Sequence, residues 1–148
     1  MEKCTFCDIV IGKIKTSIVF DDNHTLCFLD KKPIFHGHCL IIPKQHIATL
    51  EEVPKSLLGL LFWNARLLSE AIENALGAEG TFIALNNKIS QSVPHIHVHV
   101  VPRRHKDGLR GFFWPRTKYE NDEQAIEIAR KIASSFKQIS KERGEKEA

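Results

Sequence analysis

The chain has 148 residues, enough for one domain with a core that folds alone. Apolar residues make up 43 % and charged residues 26 %, which excludes a disordered chain, and no apolar run approaches the roughly 20 residues needed to cross a bilayer. Lys and Arg number 21 against 18 Asp and Glu, too slight an excess to argue for a duplex nucleic-acid partner but suited to a small anionic ligand.

The N-terminus, Met1-Glu2-Lys3-Cys4, carries no apolar leader stretch, so the expected location is the cytoplasm. Residues 18–21 and 25–30 read as two strands joined by the turn Asp22-Asn23-His24, since Asn and Asp tolerate turn backbone angles. Pro33 and Gly37 punctuate the next loop, and the apolar run from His38 to Ile42, closed by Pro43, predicts a third strand. Between Pro54 and Leu76 the positions Leu57, Leu60, Leu61, Asn64, Leu67, Leu68, Ala71 and Ala75 follow three- and four-residue spacing. With Gly77 just past the end, this predicts a helix with a core-facing stripe.

Residues 81–86 and 95–101 predict two more strands, the second ended by Pro102. From Arg103 to Tyr119 the chain is irregular, basic and aromatic. Asn121 then reads as an N-cap, with Asp122 and Glu123 in the first turn of a last helix. Ala125, Ala129, Ile132, Ala133, Phe136 and Ile139 give that helix an apolar face, and the terminal Glu-Arg-Gly-Glu-Lys-Glu-Ala is expected to fray. The order of elements argues for an α+β fold, a five-stranded antiparallel sheet with two main helices. A single domain spans 1–148, its motifs within about 4–103 and an aromatic loop and helix over 104–143.

Four cysteines divide in two. Cys27 and Cys39 lie in apolar runs and read as buried thiols. Cys4-x-x-Cys7 has the spacing at which two thiolates bind one zinc, which needs two further ligands, histidines being the natural candidates. A thioredoxin-like role is a poor fit because no βαβ pattern follows the pair.

The strongest signal is His95-Ile96-His97-Val98-His99. Alternate residues of an extended chain share a face, so the three imidazoles line one side while Ile96, Val98 and Val100 anchor the other. Three such imidazoles can clamp a catalytic metal, or one can act as a nucleophile with its neighbours handling protons. No carboxylate lies between Asn86 and Arg103 to serve as metal ligand or base, while Asn86, Asn87, Gln91 and Ser92 offer neutral groups for phosphate oxygens. Nucleophilic chemistry is the better reading.

The run from Gln91-Ser92-Val93-Pro94 through His95 to Val101 resembles the signature of the histidine triad (HIT) family. Cys4-Thr5-Phe6-Cys7-Asp8-Ile9-Val10 resembles its amino-terminal segment, and Phe28-Leu29-Asp30, Pro33 and the run from Gly37 to His46 resemble its central block. The loop Asn87-Lys88-Ile89-Ser90 departs from it, being shorter and without the usual glycines.

The resemblance implies a homodimer with a sheet continuous across both subunits and a purine nucleotide in each site. It implies release of nucleoside monophosphate from an α-phosphate that carries a leaving group. His97 would be the nucleophile forming a nucleotidyl-imidazole, His99 would contact the α-phosphate or leaving group, and His38 would complete the constellation. Ser92 and Gln91 would hold phosphate oxygens or assist the leaving group, with Asn86 or Asn87 as a further phosphate contact. Asp30 would bind the ribose hydroxyls, and Phe6, Ile9, Phe28 and Leu40 would form the base pocket.

It also supplies His46 and His95 as partners of Cys4 and Cys7 in a closed, structural zinc site; no cofactor is required for the chemistry itself. Ser92 leans towards AMP-phosphoramidate or AMP-ester substrates, the alternative being a dinucleoside polyphosphate hydrolase. Two other classes compete: a catalytically vestigial nucleotide-binding scaffold, and a zinc hydrolase with His95, His97 and His99 all on the metal. Arg103, Arg104, Lys106 and Arg110 could reach substrate phosphates, but an interface role for Phe112, Phe113 and Trp114 is the favoured reading of this segment.

Overall fold

A computed structural model of the chain describes residues 3–109 and 116–147; Arg110, Phe112, Phe113 and Trp114 lie outside the described residues. The chain divides into two compact units, 1–107 and 108–148.

The first unit opens with a short helix α1 (Thr5–Val10), too short to carry a sequence period. Strands β1 (Ile18–Asp21), β2 (Thr25–Leu29) and β3 (Cys39–Pro43) follow, then a 3-10 turn (Leu50–Glu52) and helix α2 (Lys55–Leu76). Strands β4 (Gly80–Ala84) and β5 (Val98–Arg103) complete it. The sheet runs β1-β2-β3-β5-β4 with every neighbouring pair antiparallel, as expected from the sequence.

The turn at 22–24 is built as an Asx turn: Asp22 Oδ1 accepts from the N–H groups of His24 and Thr25 at 2.8 and 2.7 Å. Asn64 of α2 donates to Asp22 and Thr25 at 3.0 and 2.9 Å, tying the hairpin to the helix. Asn64 therefore serves a polar network rather than an apolar stripe.

Helix α2 is bounded as expected, with Pro54 extended at its N-cap and Gly77 left-handed at φ +67 beyond its end. Its buried line is Leu61, Ala65, Leu68 and Ile72, spaced four, three and four residues apart. Leu67, Ala71 and Ala75, placed in the stripe by the sequence reading, are exposed.

Two apolar cores result. On one face of the sheet Cys27, Cys39, Ile41, Val98 and Val100 pack with α2. On the other, Leu26, Phe28, Leu40 and Ile42 pack with Cys4 and Phe6 of the amino-terminal segment. All five residues of β3 are buried because both of its faces are covered, which is why it reads as a continuous apolar run.

Strand β5 differs from the expected 95–101. His95 to His97 precede the ladder, and the N–H of Ile96 donates to Ile47 O at 2.7 Å instead. Pro102 does not end the strand: β3 pairs only with 98–100, so at Pro102 one side of β5 needs no N–H.

In the second unit α3 (Asp122–Glu147) runs on through the tail expected to fray. Gln124 N–H donates to the N-cap side chain of Asn121 at 2.8 Å. Among the described residues of that unit α3 is the sole regular element, so its apolar face has no partner element within it. No helix among the described residues is long and apolar enough to cross a membrane.

Candidate active site and metal centre

The imidazoles lie on the sheet face opposite α2. His99 sits in β5 directly across from Leu40 of β3, and His38 precedes β3 by one residue. Gly37 sets that entry: at φ +99, an added Cβ there would lie 2.4 Å from Leu76 Cδ1. Ile96 and Val98 enter the α2 core, and alternation along this stretch turns the three histidines the other way.

Hydrogen bonds assign a tautomer to each ring. Ile34 N–H donates to His38 Nδ1 at 3.1 Å, so the proton of neutral His38 is on Nε2, which donates to His99 Nδ1 at 2.9 Å. His99 then carries its proton on Nε2. His97 Nδ1 donates to the carbonyl of His95 at 2.8 Å, which leaves its Nε2 a lone pair. His95 Nε2 donates to Pro43 O at 2.8 Å, leaving its Nδ1 a lone pair that faces two thiols.

Beside His97 and His99 opens a cavity of about 590 Å³. Phe6, Ile9, Phe28, Leu40, Asp30, Ser92, His97 and His99 of the sequence-predicted set line it. Phe6 stands edge-on to the His97 ring at 5.1 Å and to Phe28 at 5.4 Å. Thr5, Val93, Lys31 and the stretch Ile14–Ser17 also line it; these were not anticipated, and only adjacency to Phe6, Asp30 and Ser92 could have suggested the first three.

Four predicted residues do not line the cavity. His38 acts behind His99, as described. Asn87 accepts from Leu50 N–H at 2.9 Å and donates to Glu51, and Gln91 donates to Ala48 O and accepts from Lys88 N–H. Asn86 donates to Ser90 O at 3.1 Å. These amides thus build the 86–91 loop, in which Lys88 and Ser90 hold left-handed φ of 70 and 59. Arg103 pairs with Asp107, and Arg104 donates to Leu76 O.

Burial holds all four ring pKa values below the ordinary histidine range, so the imidazoles are neutral near pH 7. For His99, burial and then the neighbouring His97 and His38 bring it down to about 4. Asp30, 3.6 Å from His38 Nε2, opposes the shift on His38, His97 and His99.

His95 leads into a second cluster. Its Nδ1 lies 3.5 Å from Cys4 Sγ and 3.6 Å from Cys7 Sγ, and His46 Nδ1 lies 3.4 Å from Cys7 Sγ. The four ligand atoms of Cys4, Cys7, His46 and His95 lie within 4.8 Å of one another. A tetrahedral zinc with Zn–S about 2.3 Å and Zn–N about 2.05 Å requires S···N edges of about 3.6 Å, which these three S···N distances match. Burial and the adjacent Cys4 raise the Cys7 thiol to about 11, so ionising Cys7 calls for a cation.

Asp30, His38 and His99 form a second group with ligand atoms within the same 4.8 Å. It does not suit a metal, because the Ile34 N–H occupies His38 Nδ1 and keeps the proton on Nε2, the atom that would have to ligate. The lone pairs of His95 and His97 likewise point to different surroundings, against one metal held by His95, His97 and His99.

Residues 12–106 match the HIT domain. The chain is 39 % identical over 108 residues to the adenylylsulfatase HINT3 of Arabidopsis thaliana, covering 72 % of this chain but only 55 % of that relative's length. A solved HIT family structure from Bacillus subtilis superposes with a TM-score of 0.80 at 34 % identity, covering 90 % of this chain and 96 % of that one. A zinc-bound histidine triad family protein from Mycobacterium smegmatis superposes with a TM-score of 0.71 at 34 % identity, covering 82 % and 87 %. With its histidines, sheet and sequence in agreement, the chain belongs to the HIT family.

Proposed function

We propose that the protein is a nucleotide hydrolase or nucleotidyltransferase that cleaves between the α-phosphate of a purine nucleoside monophosphate and its leaving group. The observation that carries this reading is the state of His97: neutral, oriented by the His95 carbonyl, and offering its Nε2 lone pair to the cavity. His97 Nε2 attacks phosphorus, a nitrogen–phosphorus bond forms, and the bond to the leaving group breaks. The leaving group takes a proton from the Ser92 hydroxyl, which lines the cavity. His99, with its proton held on Nε2 by His38, donates to a phosphate oxygen. Water then attacks the nucleotidyl-imidazole, returning a proton to Ser92 and freeing His97. Asp30 takes the ribose hydroxyls, and Phe6, Ile9, Phe28 and Leu40 enclose the base.

AMP-phosphoramidates and AMP esters are the preferred class. The plant relative's designation as an adenylylsulfatase agrees with an AMP α-phosphate bearing a variable leaving group. A structural zinc on Cys4, Cys7, His46 and His95 belongs to the same reading, supported by the donor geometry and the zinc-bound mycobacterial relative. So does a homodimer, for which the edge strands β1 and β4 offer open backbone. A turnover survey across adenosine phosphoramidate, adenylyl sulfate, AMP esters and dinucleoside polyphosphates tests the proposal. The amidate or ester should give the highest kcat/KM; AMP binding without turnover of any of them would make the protein a scaffold.

A further inference from the structure

We infer that the Cys4–Cys7–His46–His95 centre positions the active site, so that metal and nucleotide bind cooperatively. The inference rests on the structural-zinc reading and adds a function to it.

Two separate links join the centre to the reacting atom. The first is one residue deep. His95 presents its Nδ1 to the thiols, and its own carbonyl takes the His97 Nδ1–H at 2.8 Å. Fixing the His95 ring from both ends, by the metal and by Pro43 O, fixes the carbonyl that orients the nucleophile. The second link is Phe6, which lies between the two cysteines in sequence. Its ring stands edge-on to His95 at 5.8 Å and to His97 at 5.1 Å, and it forms part of the cavity wall.

Helix α1, which carries Thr5, Phe6 and Ile9 into that wall, has six residues, far below the length at which an isolated helix persists in water. It is held by the Cys7 N–H to Cys4 Sγ contact, by Phe6 packing, and by whatever ties Cys4 and Cys7 to His46 and His95. A metal there orders the wall that encloses the base, and a bound base braces the same helix. Linkage makes the effect reciprocal: the factor by which metal tightens nucleotide equals the factor by which nucleotide tightens metal. A centre that merely staples the chain end would stabilise the fold and leave the nucleotide affinity of folded protein unchanged.

The test uses the full chain. Zinc content of the isolated protein is measured first by atomic emission. AMP affinity is then measured by titration calorimetry before and after chelator treatment, with folding checked by circular dichroism. Zinc affinity is measured with and without AMP against a chromophoric chelator. AMP should bind about tenfold more weakly to zinc-free protein, recover on adding zinc, and tighten zinc by the same factor. Phe6→Leu keeps all four ligands, so zinc should remain stoichiometric while the reciprocal factor falls towards one.

Equal AMP affinity in folded zinc-free and zinc-loaded protein would overturn the coupling and leave the structural zinc standing. If zinc-free protein unfolds, an undiminished effect of AMP on zinc affinity in Phe6→Leu overturns it instead. Isolated protein without stoichiometric zinc would overturn the metal reading, and the coupling with it, before any AMP is added.

Discussion

Replacing His38 with Ala separates a positioning residue from a reacting one. His38 is 3 % exposed and does not line the cavity. Its Nε2–H donates to His99 Nδ1 at 2.9 Å, which keeps the His99 proton on Nε2. Such a bond is worth a net of about 0.5 to 1.5 kcal/mol, which converts to about a 2- to 12-fold change in rate. His38→Ala should therefore lower kcat by about that factor while leaving KM close to wild type. A second readout is independent of turnover. His99 is held at about 4 by burial and by the neighbouring His97 and His38, and removing His38 admits water and removes one of those neighbours. NMR titration of His99 should accordingly show an upward shift in the variant. A kcat equal to wild type with an unmoved His99 would refute the relay, and a loss beyond a thousandfold would place His38 among the reacting groups.

Further outcomes follow from the same geometry. Gly37→Ala drives a Cβ to 2.4 Å from Leu76 Cδ1 and 3.1 Å from Pro102 Cγ at a left-handed φ of +99. Denaturant unfolding should show a loss of about 1–3 kcal/mol, with Leu76→Ala relieving the contact but not the backbone strain. Acid lability should trace to the buried rings. The folded pKa of His99 lies near 4 against 6.5 unfolded, so the unfolded chain binds the extra proton and stability falls as pH drops below 6.5. His99 alone should make the protein about 2 kcal/mol less stable at pH 5 than at pH 7. His99→Gln should flatten that part of the slope, and an unchanged slope would contradict the assignment.

Periodicity recovered much of the architecture. The bounds of α2 were legible because Pro54 and Gly77 punctuate it chemically, and β3 because a strand covered on both faces is apolar throughout. Its buried face was less legible, since every third or fourth residue of α2 is apolar on more than one line and only the sheet selects Leu61, Ala65, Leu68 and Ile72. Helix α1 escaped notice because six residues carry no period, and its order comes from Phe6 and the cysteine cluster.

The alternation of His95, His97 and His99 predicted their common face, although only His99 lies in the ladder. Their different surroundings were not readable from spacing. They depend on carbonyls and N–H groups distant in sequence, such as Pro43 O, 52 residues from His95. The amides of Asn86, Asn87 and Gln91 show the converse. Their types suit phosphate, yet a glycine-free loop with two left-handed residues, Lys88 and Ser90, engages all three within the protein.

The proposed reaction requires His97 Nε2 to become covalently nucleotidylated. Rapid quenching of the protein with an adenosine phosphoramidate, followed by intact-mass analysis and peptide mapping, tests it most directly. An added adenylyl group is expected on His97, absent from a His97→Ala variant that still binds AMP but does not turn over. Turnover retained by His97→Ala, or the adenylyl group mapped to another residue, would contradict it.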